Sequence, residues 1–290
     1  MPAARVSDPI DHLLALDPGG RGIAAFFQPG GALRAARALL RARRVLIVTG
    51  FVVADGMPET DGPPGAAVLG RALRRRGAQV RYVTDDAVVP VLKSALATLD
   101  EPAEIVTCPP GEGAAAGLLR AERPTHLVAI ERPGRGRAGD YLNARGVSVK
   151  AWNRPLDELF LRRRGAVTIA VGDGGNEIGM GNVHARLARE GRLAAAIASI
   201  VRVDHLVVAG ASNWGAYGIV AQLSRLTGER LLHAPDDERR LIAACVDAGA
   251  VDGITRRHER TVDGLDADTH AALVALLGLS WGDLRARGER

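Results

Sequence analysis

At 290 residues, 47% apolar and 24% charged, the chain is long enough to bury a sizeable core and too apolar for intrinsic disorder. A net charge of +5 and a pI of about 9.8 invite a nucleic-acid reading, but of 38 basic residues only Lys93 and Lys150 are lysines; the arginine excess reads as compositional, and no nucleic-acid partner is expected. Cys108 and Cys245 are far apart and in no CxxC, which argues against a disulfide framework or zinc site; with no leader-like or membrane-length apolar run, a cytoplasmic protein without membrane association is expected.

In chain order, "RVLIVTG" (44–50) is the first predicted strand, β-branched and almost continuously apolar. A helix over 65–76 follows and stops at Gly77. Strands are predicted at "QVRYVTD" (79–85), "AEIVTC" (103–108) and "HLVAIE" (126–131). A helix over 155–164 ends before Gly165 and leads to the strand "VTIAVG" (167–172). The helical stretch 182–200 divides near Gly191. The last strand, "HLVVAG" (205–210), precedes a helix over 214–227 that Gly228 stops. This alternation predicts one α/β domain over 1–290, with a mostly parallel, doubly wound, Rossmann-like sheet and helices on both faces. Ligands of such sheets sit beyond the carboxyl ends of the strands.

The polar, glycine-rich material gathers at those ends. "GDGGNEIGMGN" (172–182) is the densest run. It lacks the Lys and Ser/Thr of a phosphate loop, and Glu177 stands where a dinucleotide fingerprint needs its last Gly; no nucleotide cofactor is expected. Asp173 and Glu177 are four apart, and a second acidic loop holds Glu59 and Asp61. Such oxygens suit Mg²⁺, Mn²⁺ or Ca²⁺. The same acids at helix starts also serve as caps, and spacing leaves the two readings level. The convergence of two acidic loops at strand ends tilts the reading towards a metal. Glu131 and Arg132 follow the fourth strand; Glu131 suits a base or a ligand, and an internal ion pair between neighbours on the chain or across the sheet is the other reading. Asn213 suits a substrate hydrogen bond or a helix cap, and Asn176 lies within the glycine-rich run as a further substrate contact. His184 and His270 form no H-x-x-x-H pair and read as helix-surface residues.

Five segments in order, "ETDGPPGA" (59–66), "VAIERPGR" (128–135), "NARG" (143–146), "GDGGNEIGMG" (172–181) and "SNWGAYG" (212–218), together resemble the C-terminal domain of the D-glutamate cyclases. The likeness runs from "DPGGRGI" (17–23) to "VDGLDADTHA" (262–271). That domain occurs alone in many prokaryotes and behind a hydro-lyase-like domain in the animal mitochondrial enzyme. The chain departs from the family pattern in "GRGRAGDYLNAR" (134–145): Ala138 stands where an acid is usual, with Asp140 two positions on. The resemblance implies a divalent-metal-assisted lyase that converts D-glutamate to 5-oxo-D-proline and water. The expected metal ligands are Glu59, Asp61, Asp173 and Glu177. Glu131 and Asp173 are the expected catalytic acids, Arg132 or Arg145 the grip on the α-carboxylate, and Asn176 and Asn213 the orienting groups. Two other readings stay open: a metal-dependent hydrolase of a phosphorylated small molecule, and a non-catalytic metabolite-binding partner of a separate hydro-lyase-like protein. The expected partner is a small amino acid, with a homo-oligomer left open.

Overall fold

A computed structural model of the chain describes residues 8–109, 111 and 113–288, with residues 281–288 as backbone only. Six strands form the central sheet: β1 (Arg44–Thr49), β2 (Gln79–Val83), β3 (Ile105–Val106), β4 (His126–Ile130), β5 (Val167–Gly172) and β6 (His205–Val208). Every neighbouring pair is parallel, and the order is β3-β2-β1-β4-β5-β6. β1, β4 and β5 are buried almost throughout, as their unbroken Val, Ile, Leu and Ala runs require of strands covered on both faces. All six predicted strands are present. β5 ends at Gly172 as predicted and the others end one or two residues early where the chain turns; the run over 103–108 pairs only through Ile105 and Val106.

The helices are α1 (Pro9–Leu14), α2 (Gly31–Leu39), α3 (Pro63–Arg75), α4 (Val89–Thr98), α5 (Ala114–Glu122), α6 (Glu158–Arg162), α7 (His184–Leu187), α8 (Arg192–Ile197), α9 (Ser212–Thr227), α10 (Pro235–Asp247) and α11 (Ala267–Gly288). Side by side, α2, α9, α3 and α4 form one layer, and α10 and α11 lie outside it. α5 and α6 pair with each other, and their Leu118, Leu119, Leu159 and Phe160 join the same core. None of the helices among the described residues is long and apolar enough to cross a membrane. Two short hairpins, Val52–Ala54 with Met57–Pro58 and Thr261–Val262 with Leu265–Asp266, each turn at an Asp-Gly pair. In the second, Asp263 and Gly264 both have left-handed backbones (φ 54° and 78°), the conformation that a tight two-residue turn demands.

Because strand order reverses between β1 and β4, their following loops diverge and open a crevice at the carboxyl edge. α9 starts beside that crevice, and its residues from Ser212 to Ser224 are all buried. One residue corrects the expectation of a surface histidine. His270 is fully buried on α11; its Nδ1 accepts from the Trp214 indole Nε1 at 2.7 Å, and its Nε2 donates to the Val262 carbonyl at 3.1 Å. Its neighbours on the helix are apolar, and two specific partners compensate the desolvation of the ring.

α9 lies so close to β5 that a Cβ at Gly215 would stand 2.3 Å from Val171 Cγ1. Gly215→Ala is therefore expected to destabilise the fold by about 1–3 kcal/mol through overpacking, although alanine is the better helix former. Thermal unfolding of the two proteins checks this; an unchanged or higher Tm would show that the helix–sheet spacing is looser than described.

Candidate active site

Helix geometry sets the first acid. The exposed N–H groups at the start of α9 need acceptors, and Asp61 supplies them from another segment. Its Oδ2 accepts from Ser212 N and its Oδ1 from Asn213 N, both at 2.8 Å. Asn213 returns the arrangement: its Oδ1 accepts from Gly62 N at 3.0 Å and Gly65 N at 2.8 Å, at the start of α3. The two helices thus cap each other, and Asp61 is fixed at the positive end of α9. Asn213, expected to orient a substrate, has its carbonyl oxygen engaged in this cap.

Glu131 follows β4 with φ 41°, a left-handed backbone that is rare for a residue with a long side chain. Such strain persists only where the surroundings over-determine it. Here the loop after β1 packs tightly against it: a Cβ at Gly62 would meet Glu131 Cβ at 2.9 Å. Glu131 Oε2 accepts from the Ser212 hydroxyl at 2.6 Å. The loops after β4 and β5 run together, with Ile178 N donating to Arg132 O and Gly134 N to Asn176 O, both at 2.9 Å.

The glycine-rich run after β5 winds around its own Glu177. The Glu177 carboxylate accepts from Asp173 N (3.2 Å), Gly174 N (2.6 Å) and Gly175 N (2.8 Å), a concave ring of amides closed on an anion. A Cβ at Gly172 would meet the Glu177 carboxyl carbon at 3.0 Å, so glycine is needed for this closure. Glu177, expected as a metal ligand, spends its oxygens on its own loop. What the loop presents is Asp173. Its Oδ1 accepts from Arg21 at 2.9 Å, and its buried Oδ2 has no partner among the described residues.

Asp61, Glu131 and Asp173 converge, each offering a carboxylate oxygen within 4.8 Å of the others, and all three are buried. Glu59 and Asp263 lie alongside, each with one buried carboxylate oxygen unpartnered among the described residues. Arg21 is the local counter-charge, bridging Asp173 and Asp263 (2.7 Å). Burial holds the carboxyls of Glu59, Asp61, Glu131 and Asp173 well above the ordinary range, and the surrounding acids push in the same direction. Arg21 and the amides on Asp61 oppose this without overcoming it. Conversely, Asp173 and Asp263 hold the Arg21 guanidinium above its ordinary value against the burial that would lower it. Hard oxygens, crowded and several of them unpartnered among the described residues, are a donor set that could hold a divalent cation.

A cleft opens over this cluster. Glu59, Glu131, Asp263 and Arg21 line its acidic side, and Asn176, Arg145 and Arg256 its outer part. Of the expected substrate contacts, Arg145 and Asn176 lie on it. Arg132 does not: it is fully buried and braces the fold, donating to Gly50 O (3.0 Å), Arg154 O (2.6 Å) and Asp85. Asp140 stays with its own loop, accepting from Ser148 Oγ at 2.8 Å. Arg21, Asp263 and Arg256 were missed by the motif reading. "VDGLD" did carry an Asp-Gly hairpin signal; nothing local tied Arg21 to it.

A family model described as D-glutamate cyclase-like, C-terminal, matches residues 10–278. The mitochondrial D-glutamate cyclase of Homo sapiens is 37% identical over 239 residues, covering 74% of this chain and 38% of that protein, so the chain spans well under half of its relative's length. Among solved structures, exonuclease RecJ bound to manganese aligns with a TM-score of 0.41 at 14% identity, covering 86% of this chain and 47% of that one. An exopolyphosphatase-related protein from Bacteroides fragilis aligns with a TM-score of 0.45 at 9% identity, covering 89% and 58%. These likenesses are too distant for any property to be transferred. The family match spans most of the chain, and the chain belongs to the D-glutamate cyclase-like, C-terminal family.

Proposed function

We propose that this chain is a metal-assisted cyclase that closes D-glutamate to 5-oxo-D-proline with loss of water. The observation that carries the reading is the double position of Glu131, which belongs both to the buried triad with Asp61 and Asp173 and to the wall of the cleft. Family membership and the name of the human relative support the choice of substrate.

The ring closure is intramolecular, so the substrate itself supplies much of the proximity. What remains is to remove a proton from its ammonium and to make a carboxylate electrophilic. Asp61, Glu131 and Asp173 would hold the cation, which when bound would neutralise the γ-carboxylate and stabilise the charge on the tetrahedral centre. Glu59 lines the cleft, its Oε1 is unpartnered among the described residues, and burial raises its proton affinity. It takes the two protons that the nitrogen sheds, one from the ammonium before attack and one from the tetrahedral adduct, and passes each to the departing oxygen, which leaves as water. Arg21 keeps Asp173 and Asp263 in place, and Glu177 keeps the loop closed beneath them.

Three outcomes are expected. Calorimetry with Mn²⁺, Mg²⁺ and Ca²⁺ should show binding to the wild type, worth ~2.7 kcal/mol of added stability at a hundredfold excess over Kd. Asp173→Asn should lose most of that gain and yet fold without metal; if the wild type takes up none of the three ions, the cation reading fails. Chiral chromatography of D-glutamate incubated with protein and Mn²⁺ should reveal 5-oxo-D-proline. Glu59→Gln should slow its formation by about 10²–10⁴-fold while metal binding persists, and equal turnover would remove Glu59 from the role of base.

The metal-free protein should also respond to pH. The raised acids Glu59, Asp61, Glu131 and Asp173 keep protons in the native state that the unfolded chain has released above pH ~4.5. Native protein then binds more protons than unfolded, and stability falls as pH rises towards the folded values. Acids with lowered values, such as Asp8, Asp204, Asp237 and Asp252, already contribute fully above that range. His126 and His205, both lowered by burial, act with the opposite sign, so the variant provides the comparison. Without metal, the wild type should lose more stability between pH 5.5 and 8 than Asp173→Asn does, and saturating Mn²⁺ should narrow the gap. Identical pH profiles would contradict the charge crowding.

A further inference from the structure

The sequence from Asp252 to Arg256 forms a tight loop that carries one cation to the cleft. Asp252 organises it: Oδ1 accepts from Ile254 N and Thr255 N, both at 2.8 Å, and the Asp252 carbonyl from Arg256 N at 2.8 Å. Asp252 Oδ2 accepts from Gly264 N at 2.7 Å, which fixes the loop to the hairpin that bears Asp263. Gly253 passes so close to Glu59 that a Cβ there would stand 2.2 Å from its Oε2. Across the mouth, the Arg145 guanidinium donates to Ile254 O at 3.1 Å and ties this loop to the 143–147 turn. Arg256 itself has φ 58°, a left-handed backbone held only at a cost.

That cost serves a side chain with no visible use within the fold. Arg256 is half-buried and lines the cleft with Glu59, Glu131 and Asp263. Its Nε is buried without a partner, and among the described residues its guanidinium makes neither a hydrogen bond nor an ion pair. Two other arginines of this region, Arg21 and Arg132, are engaged. An unmatched guanidinium on a rigid loop, facing an acid-lined cleft, is set for a planar anion that binds through two parallel N–H contacts.

We propose that Arg256 is the specificity-determining residue of this site and grips the α-carboxylate of an amino-acid substrate, the end remote from the buried acids. The assignment rests on the cyclase reading for the identity of the substrate but not for the contact itself. The acid cluster handles the reacting end, and Arg256 sets the length and charge of what fits between them. Arg145 positions the loop and is not itself the grip.

Calorimetric titration in the presence of Mn²⁺ tests this with D-glutamate, with D-isoglutamine, whose α-carboxylate is a neutral amide, and with inorganic phosphate. The wild type should bind D-glutamate roughly tenfold or more tightly over D-isoglutamine, since a desolvated charge pair is lost in the amide. Arg256→Gln should bind the two alike, Arg256→Lys should restore part of the preference, and both variants should melt near the wild-type temperature. The proposal is overturned if the preference survives in Arg256→Gln, if phosphate outcompetes D-glutamate at this residue, if the wild type binds neither amino acid, or if Arg256→Gln loses binding only because it is unfolded while Arg256→Lys shows no preference. A wild type that binds D-glutamate through Arg256 yet forms no 5-oxo-D-proline would refute the cyclase reading alone.

Discussion

Everything around the crevice answers to one constraint: acids of like charge are held together away from water with Arg21 as their counter-charge. Separated, each would be solvated; together and buried, each raises the proton affinity of its neighbours. Ordinary cores do not retain such an arrangement for stability, because desolvation outweighs what a single ion pair returns. The fold instead invests in holding the acids still. Reciprocal caps between α3 and α9 fix Asp61, a left-handed turn points Glu131, and a ring of amides locks the loop that presents Asp173. Each device uses backbone groups that would otherwise be orphaned at helix or strand ends, so the cluster is paid for by the sheet edge itself.

The topology explains why these particular strands contribute. β1, β4 and β5 are adjacent at the centre of the sheet, and the reversal of strand order lies between the first two. Asp61, Glu131 and Asp173 each follow one of them, so neighbours in space come from three widely separated stretches of sequence. The second wall of the cleft has a different origin. Arg21 precedes the sheet altogether, and Asp263 and Arg256 come from the connection between α10 and α11, beyond the last strand. The sheet edge thus provides the three converging acids, and the peripheral segments provide Asp263, Arg21 and Arg256.

Much of this was legible in the sequence, for physical reasons that can be named. Strands buried on both faces cannot hide their apolar continuity, and glycine stops such as Gly228, left-handed at φ 72°, mark helix ends directly. The gathering of Asp61, Glu131 and Asp173 at one edge was legible because polar residues at strand ends stand out against an apolar background. Direction was not visible. Nothing in "GDGGNEIGMGN" says that Glu177 turns back to its own loop's amides while Asp173 turns to the other acids, since both lie among glycines. Arg132 and Asn213 also looked suited to a substrate, and only their three-dimensional partners reveal a brace and a cap. His270 misled because a single helical histidine carries no mark of burial when its partner, Trp214, is 56 positions away. Arg256 had no motif at all; its meaning comes from the absence of a partner, which a sequence cannot display.

The Arg21–Asp263 contact joins residues 242 positions apart. Closing such a loop is slow relative to local structure, because the entropy of chain closure precedes any reward from the contact. The acids that follow β1, β4 and β5 can therefore be assembled before their counter-ion bridge is secured at its far end. During synthesis, the segment with Asp263 also emerges after the whole sheet. The completed cluster is thus expected late on the folding route, where its closure would tell a finished molecule from an almost finished one.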